Sequence, residues 1–404
     1  MKKRFRPVHI FIAAVNAAAV AGALILTAVG NSAAEAQRYN YAHERWKNGG
    51  KGEYSQVSCF FSDDAGFDKN EASGVKARLI EKLKEAAINP NGRQELVPDA
   101  YSASAGKATI TSDTGKNSEA EITVAGGNFF LFRSFELASG AFFSDDDLMQ
   151  DGAVIDRQLA WNLYGTDNIA GKYIYINNVR LYVSGVTELP RTDPEERCIG
   201  NTPRAYISYY AAGLIFGSGT TPDENGESSG AASAFRKITC YECISPEPVE
   251  KYVYNTINKD VSERFKGKVS IVNNKERFDP KPRIKALKRL EDSVVRKDAI
   301  IYPFWENASR MVEFKLSFIY GGRRLLLAIP FITLIWLIIM AYREFMRKKE
   351  KLRKAVGSFV SAKITALRKK NSYGSEENKE SSAAEKKEQT KESKNIKKQK
   401  EGSL

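Results

Sequence analysis

The sequence predicts an α+β fold, a mixed α/β domain of two subdomains held extracytoplasmic between two transmembrane helices. Three observations predict it. Two apolar runs without charge, 8–30 and 325–342, stand near the two ends of the chain. Basic residues crowd the outer flanks of those runs. Between the runs, strand-like alternation and helix-like periodicity alternate in β-α-β-β order, the pattern of helices on one face of a mixed sheet.

The net charge of +13 over 404 residues belongs to the ends. Lys2, Lys3, Arg4 and Arg6 precede the first run, and residues 343–404 carry 19 Lys/Arg against 9 Asp/Glu. That leaves 39 basic and 40 acidic residues for positions 7–342. A neutral middle excludes nucleic acid as a partner, whereas basic flanks mark the cytoplasmic side of a membrane span.

The first run holds 23 residues, long enough to cross a bilayer core of about 30 Å. A cleaved signal peptide competes with this reading, because Ala34-Glu35-Ala36 offers a small-x-small site. The length of the run favours a retained helix, since a signal core is about 7–15 residues. Small residues such as Ala13, Ala17, Gly22 and Ala23 dominate it and suit close approach by another helix, while Asn16 wants an interhelical partner. The second run, Leu325 to Tyr342, is 18 residues and is extended upstream by Phe318 to Tyr320, past Arg323 and Arg324. Pro330 is expected to kink it.

The organisation that follows is a cytoplasmic N-terminus at 1–7, a helix at 8–30, an extracytoplasmic domain at 31–320 and a second helix at 321–342. A basic amphipathic cytoplasmic helix at 343–370 and a disordered tail at 371–404 complete it. In the helix at 343–370, Leu352, Val356, Phe359, Val360, Ile364 and Leu367 share one face, and Lys351, Arg353, Lys354, Lys363 and Arg368 supply charge. Such a helix suits an anionic inner leaflet or a docking partner.

Within the domain, a helical stalk with Trp46 leads to a turn at Gly49-Gly50, then a strand at 54–61. Val75, Leu79, Ile80, Leu83 and Ile88 predict a helix over 72–88, and strands follow at 107–112 and 119–125. Ser144 before Asp145 to Asp147 predicts a capped helix start, and a calcium loop is disfavoured because its spaced oxygen ligands are missing. Asn177-Asn178 between two β-rich runs predicts a hairpin over 172–186. Residues 217–233 predict a low-complexity surface loop. Val249, Val253, Ile257, Val261 and Phe265 predict a helix over 248–267, Val269 to Val272 a closing strand, and 284–320 a largely helical lead into the second span.

Candidate chemistry is sparse. Cys240 and Cys243 form C-x-x-C, which suggests zinc or redox chemistry. A zinc site wants further ligands, and besides Cys59 and Cys198 the chain offers only His9 and His43. Alternation through Ile238 to Ile244 suits a strand, which puts the two thiols on opposite faces. Pairing among the four cysteines stays open. His43 is the only imidazole outside the membrane flank, so a hydrolase is disfavoured. No catalytic, cofactor-binding or metal-ligating residue is assigned, and the chain is expected not to be an enzyme.

Asn128-Phe129-Phe130, Gly140, Phe142-Phe143, Asp147 and Val154-Ile155-Asp156 carry a resemblance. It continues through Leu159-Ala160-Trp161-Asn162-Leu163-Tyr164-Gly165, Ile169-Ala170-Gly171-Lys172, the hairpin and Gly185-Val186. This segment resembles the periplasmic core domain of MacB-type ABC transporter permeases, relatives of the FtsX-like permeases, with the hairpin-bearing subdomain at about 126–233. The resemblance implies an outer domain that couples ATP-driven movement of membrane helices to partners outside. Those permeases carry two further spans, so a relative truncated to two spans is expected. No G-x-x-x-x-G-K-[ST] run occurs, so an ABC-type ATPase would come from another chain. The expected partners are therefore the membrane, such an ATPase, an additional permease subunit and a second copy in a homo-oligomer. A free-standing surface binding or sensor module with no ATPase is the alternative.

Overall fold

The computed structural model describes residues 7–47, 52–89, 95–188, 192–217, 235–289 and 299–400, with backbone alone over 369–400. It divides into two compact units, Met1–Leu327 and Ala328–Leu404.

The first unit opens with the apolar helix α1 (Pro7–Glu35) and the short α2 (Ala42–Lys47), then β1 (Tyr54–Phe61). Helix α3 (Lys69–Glu85) starts earlier than its apolar periodicity indicates, because Asp68 caps it by accepting from the Asn70 and Glu71 amides at 2.9 and 3.0 Å. Long strands β2 (Asp99–Ser112) and β3 (Asn117–Gly127) follow, then α4 (Phe129–Phe132), β4 (Leu137–Gly140), β5 (Gly152–Asp156) and α5 (Arg157–Tyr164). Next come the hairpin β6 (Tyr173–Ile176) and β7 (Val179–Thr187), α6 (Asp193–Ile199), β8 (Arg204–Ser208) and α7 (Tyr209–Phe216). The domain ends with β9 (Cys240–Pro246), α8 (Tyr252–Arg264), β10 (Val269–Asn273), α9 (Pro280–Ala286) and the start of α10 (Phe304–Lys400).

The ten strands among the described residues form one mixed sheet in the order β10-β1-β9-β2-β3-β8-β5-β7-β4, with β6 joining β2 to β7. Pairs β3·β8 and β5·β7 are parallel, and the others antiparallel. Strand β2 serves two neighbourhoods because a bulge between Ser104 and Gly106 bends it, with Gly106 at φ 81°. Its first half pairs β9 and its second half pairs β6. The pairings β2-β3-β8-β5-β7-β6 therefore close on themselves into a ring.

Two cores lie on the same side of the sheet. One, inside the ring, gathers Ile110, Ile122, Ile155, Ile176 and Val183 beneath α5 and α7. The other gathers Val57, Cys59, Phe61 and Tyr241 beneath α3 and α8. A third core uses the alternate residues Phe60, Ala125, Val154, Tyr206 and Ile244 on the opposite side, packed by α2, α4 and the first turn of α10. Helices thus cover both faces, correcting the expectation of one. The apolar residues of β1, β8 and β9 point both ways, and each side needs a cover.

Other expectations divide similarly. The hairpin turns at Asn177 and Asn178, both at positive φ (47° and 63°), as the side-chain chemistry requires. The helix expected after Ser144 does not form. The carboxylates are committed elsewhere: Asp145 Oδ2 accepts the Tyr101 hydroxyl at 2.7 Å and the Gly127 amide at 2.8 Å, and Asp147 Oδ2 accepts the Ser144 amide at 2.9 Å. The Gly49-Gly50 turn and all of the 217–233 loop beyond Gly217 lie outside the described residues, as does 290–298 within the expected helical lead.

Helices α1 and α10 are both long and apolar enough to cross a membrane. Their first-unit parts pack antiparallel through small residues. A Cβ added at Gly22 would lie 3.0 Å from Leu326, at Gly30 2.8 Å from Tyr320, and at Gly322 3.4 Å from Leu26. Outward on α1, Ile10, Phe11, Leu24 and Ile25 remain exposed as lipid-facing residues do.

In the second unit, Phe331, Ile332, Leu337 and Ile338 are likewise exposed. Its helix continues to Lys400, where disorder over 371–404 was expected.

Candidate functional site

Four buried charged residues, Arg133, Glu242, Arg277 and Glu306, are linked where α10 enters the third core. The chain of contacts begins at Arg133, set after α4, whose guanidinium stacks 4.3 Å from the Trp305 ring and pairs with Glu242 of β9. Glu242 also accepts the Ser58 hydroxyl at 2.7 Å, and Ser58 in turn accepts from Asn274 Nδ2 at 2.7 Å. Asn274, just past β10, accepts from Arg277 Nη1 at 3.3 Å. Arg277 then donates two bonds of 2.7 Å to the Glu306 carboxylate and one of 2.8 Å to Glu313. Arg310 and Arg283 complete the cluster against Glu306 and Glu313, at 3.0 and 3.2 Å.

This polar chain runs from the sheet to the first turns of α10 and closes on itself where Trp305 covers Arg133. Its members are deeply buried, Glu306 at 2%, Glu242 at 4% and Arg277 at 6% exposure. Burial holds the Arg133 guanidinium down at about 10. For Arg277 burial acts the same way, but the carboxylates of Glu306 and Glu313 outweigh it and raise its pKa. Both guanidinia therefore stay charged at neutral pH. Paired charges held this far from water tolerate little displacement, because separating them exposes each to an unsolvated environment. The arrangement is a joint of paired charges between the sheet and the first turns of α10.

A neighbouring contact fixes the ring to the same joint. The Arg204 guanidinium of β8 stacks 4.7 Å from Phe304 and pairs with Glu121 at 2.9 Å. Its backbone amide donates to Asp156 Oδ2 at 2.7 Å, while Asp156 Oδ1 caps α5 through the Leu159 amide at 2.7 Å. Burial pushes the Asp156 carboxyl up from 3.8 to about 6. The folded chain then binds this proton more tightly than the unfolded chain. Stability should fall as pH rises through the window from 3.8 to about 6, then level off. Denaturant melts of the full chain over this range should show that slope, and Asp156→Asn should flatten it.

The segment singled out by the sequence supplies the packing beneath these contacts. Gly140 and Gly185 face each other across β4 and β7. A Cβ on Gly140 would lie 2.1 Å from the Ser184 carbonyl oxygen, and one on Gly185 2.6 Å from that of Ala141. Phe130 stacks on Phe142 with centroids 4.4 Å apart, and Gly165 closes α5 at φ 73°. Cys240 and Cys243 fall on opposite faces, in the third and second cores respectively, and all four thiols are free. His43 is buried beside Gln56, with a ring nitrogen 3.4 Å from its Oε1, and burial lowers its pKa. Neither the C-x-x-C nor His43 belongs to the hydrogen bonds and ion pairs that form the joint, although Cys240 lies near Arg133 in the third core. Sequence reasoning did not single out Arg133, Glu242, Arg277 or Glu306. Glu242 carried a usable signal: it is a charge at an inward position of an otherwise apolar strand.

Comparison with known proteins gives this architecture relatives. The model of the MacB-like periplasmic core domain matches residues 17–229. The macrolide export ATP-binding/permease protein MacB of Shewanella sp. (strain ANA-3) is 34% identical over 145 residues, 33% of this chain. The chain covers 21% of that relative's length. Among solved structures, the extracellular domain of the noncanonic ABC-type transporter YknZ from Gram-positive bacteria is similar over 54% of this chain and 100% of its own, at 12% identity and a TM-score of 0.35. The periplasmic region of MacB from Actinobacillus actinomycetemcomitans is similar over 60% of this chain and 94% of its own, at 15% identity and a TM-score of 0.35. The glycine pair, the ring and the asparagine hairpin all fall within the matched residues, which make up more than half of the sequence, and the chain belongs to the MacB-like periplasmic core domain family.

Proposed function

We propose that this chain is an ABC-permease-like membrane subunit whose α/β domain couples movement of α1 and α10 to partners outside the cytoplasm. The buried joint from Arg133 to Glu306 supports this reading most strongly, because it locks the first turns of α10 to the sheet through paired charges. A domain that only displayed a binding surface would need no such joint to its anchor.

The rest follows from charge and packing. Both basic ends stay in the cytoplasm and the domain lies outside, a reading supported by the basic flanks. The subunit works by transmission rather than catalysis, and ATP hydrolysis comes from an ABC-type ATPase on a separate chain. A further permease subunit or a second copy completes the spanning part.

The test is purification of the tagged full chain from native membranes in mild detergent, with mass spectrometry of what accompanies it. An ATP-binding cassette protein in near-stoichiometric amount is the expected result. Its absence, under conditions that preserve known membrane complexes, would overturn the transport role and leave a free-standing binding module.

A further inference from the structure

A second charged feature of the first unit lies away from the joint, at the level where α10 becomes apolar. Lys281, Lys285 and the nearby Lys288 recur at helical spacing, so α9 and the turn after it present one basic edge. That edge faces Arg323 and Arg324 of α10 across a cleft of about 430 Å³. Pro280, Ile284 and Leu327 form the apolar part of its lining, and no acidic side chain lines it. Among the described residues none of the five cations forms an ion pair with a carboxylate. Elsewhere in the domain, exposed lysines such as Lys82 and Lys268 do.

The cleft is built by close packing. A Cβ on Gly321 would lie 2.6 Å from Leu287 Cδ1, so the Leu287 side chain lies directly against the Gly321 backbone of α10. Ile284 packs against the small core of Phe278, Val312, Leu316 and Tyr320, which holds α9 in place. Arg323 is steadied 5.2 Å above the Tyr320 ring. Five like charges are thus gathered at a cost in mutual repulsion, and membrane insertion does not account for them. On the proposed topology they lie on the side where basic residues are not favoured.

We propose that this cleft binds the phosphate headgroup of an anionic phospholipid. The charge calls for an anion, and exposed Leu325 and Leu327 carry the lining directly into the apolar span, where acyl chains lie. A soluble polyanion would find no use for that apolar continuation. The bound lipid neutralises the cluster and ties the base of the domain to the bilayer surface. This goes beyond the coupling role and does not depend on an ATPase partner.

The experiment uses the full chain, delipidated in mild detergent and titrated with phosphatidylglycerol or phosphatidylcholine under native mass spectrometry. Phosphatidylglycerol should be retained over phosphatidylcholine. The triple variant Lys281→Gln, Lys285→Gln, Lys288→Gln should weaken that retention by about tenfold or more, given the attraction each cation contributes near an anionic surface. Arginine at the same three positions should keep it. Melting temperatures confirm that each variant folds. Equal retention of both lipids, or retention unchanged in the glutamine variant, would overturn the proposal. So would loss of retention only when Lys351, Arg353 and Lys354 of the tail are neutralised, or full displacement by inorganic phosphate at comparable concentration.

Discussion

Replacing Arg277 by Ala is expected to cost about 3–5 kcal/mol of folding stability, the largest effect of any single substitution in the joint. The substitution removes two bonds to Glu306, one to Glu313 and one to Asn274. Glu306, at 2% exposure, is left with Arg310 alone. The penalty comes mainly from the carboxylate left behind in a dry site, not from the lost attraction itself. The pair Arg277→Met with Glu306→Leu should therefore cost less than the sum of the two single changes. Denaturant melts of the full chain in detergent would measure this. A cycle in which the single costs simply add would show that the two residues act separately.

Gly140→Ala is the second large effect, and its cause is steric. At φ 77° the residue occupies a region that costs an alanine about 1–3 kcal/mol. The added methyl group would also sit 2.1 Å from the Ser184 carbonyl oxygen and 2.9 Å from the Gly185 Cα, which are backbone atoms and cannot swing aside. Strand β4 would have to leave β7, carrying Phe142 and Phe143 with it. A loss of at least about 3 kcal/mol is expected, seen as a fall in melting temperature with new exchange of amide protons along β7. Gly165→Ala offers the comparison: it shares a positive φ of 73° but nothing lies within 4 Å of its added Cβ. It should cost distinctly less.

These two sites show what the sequence made legible. Gly140 and Gly185 stood out as part of a family-like pattern, and the structure gives the reason: two backbones meet there with no room for a side chain. Asn177-Asn178 was readable because a two-residue hairpin demands positive φ and asparagine tolerates it. Strands β1 and β10 and helices α3 and α8 followed from local apolar periodicity. The small-residue face of α1 announced a neighbouring helix, and Gly22 and Gly30 now meet Leu326 and Tyr320.

The joint was hidden because its members are far apart in sequence. Arg133, Glu242, Asn274, Arg277 and Glu306 each read locally as ordinary polar residues beside apolar ones. Only the sheet order β10-β1-β9-β2, with its long crossovers, brings them together. The ring escaped for the same reason, since the bulge at Ser104 and Gly106 lets one strand serve two partners. The acidic run at 145–147 misled because a capping pattern and a loop that accepts hydrogen bonds from neighbouring strands share the same residues.

The central claim is that the sheet and the start of α10 move as one body. Spin labels at Lys259 on α8 and Lys315 on α10, both exposed, would measure the distance between them in the reconstituted full chain. The account predicts a single narrow distance distribution that broadens in Arg277→Ala. A broad distribution in the unmodified joint, unchanged by that substitution, would contradict it.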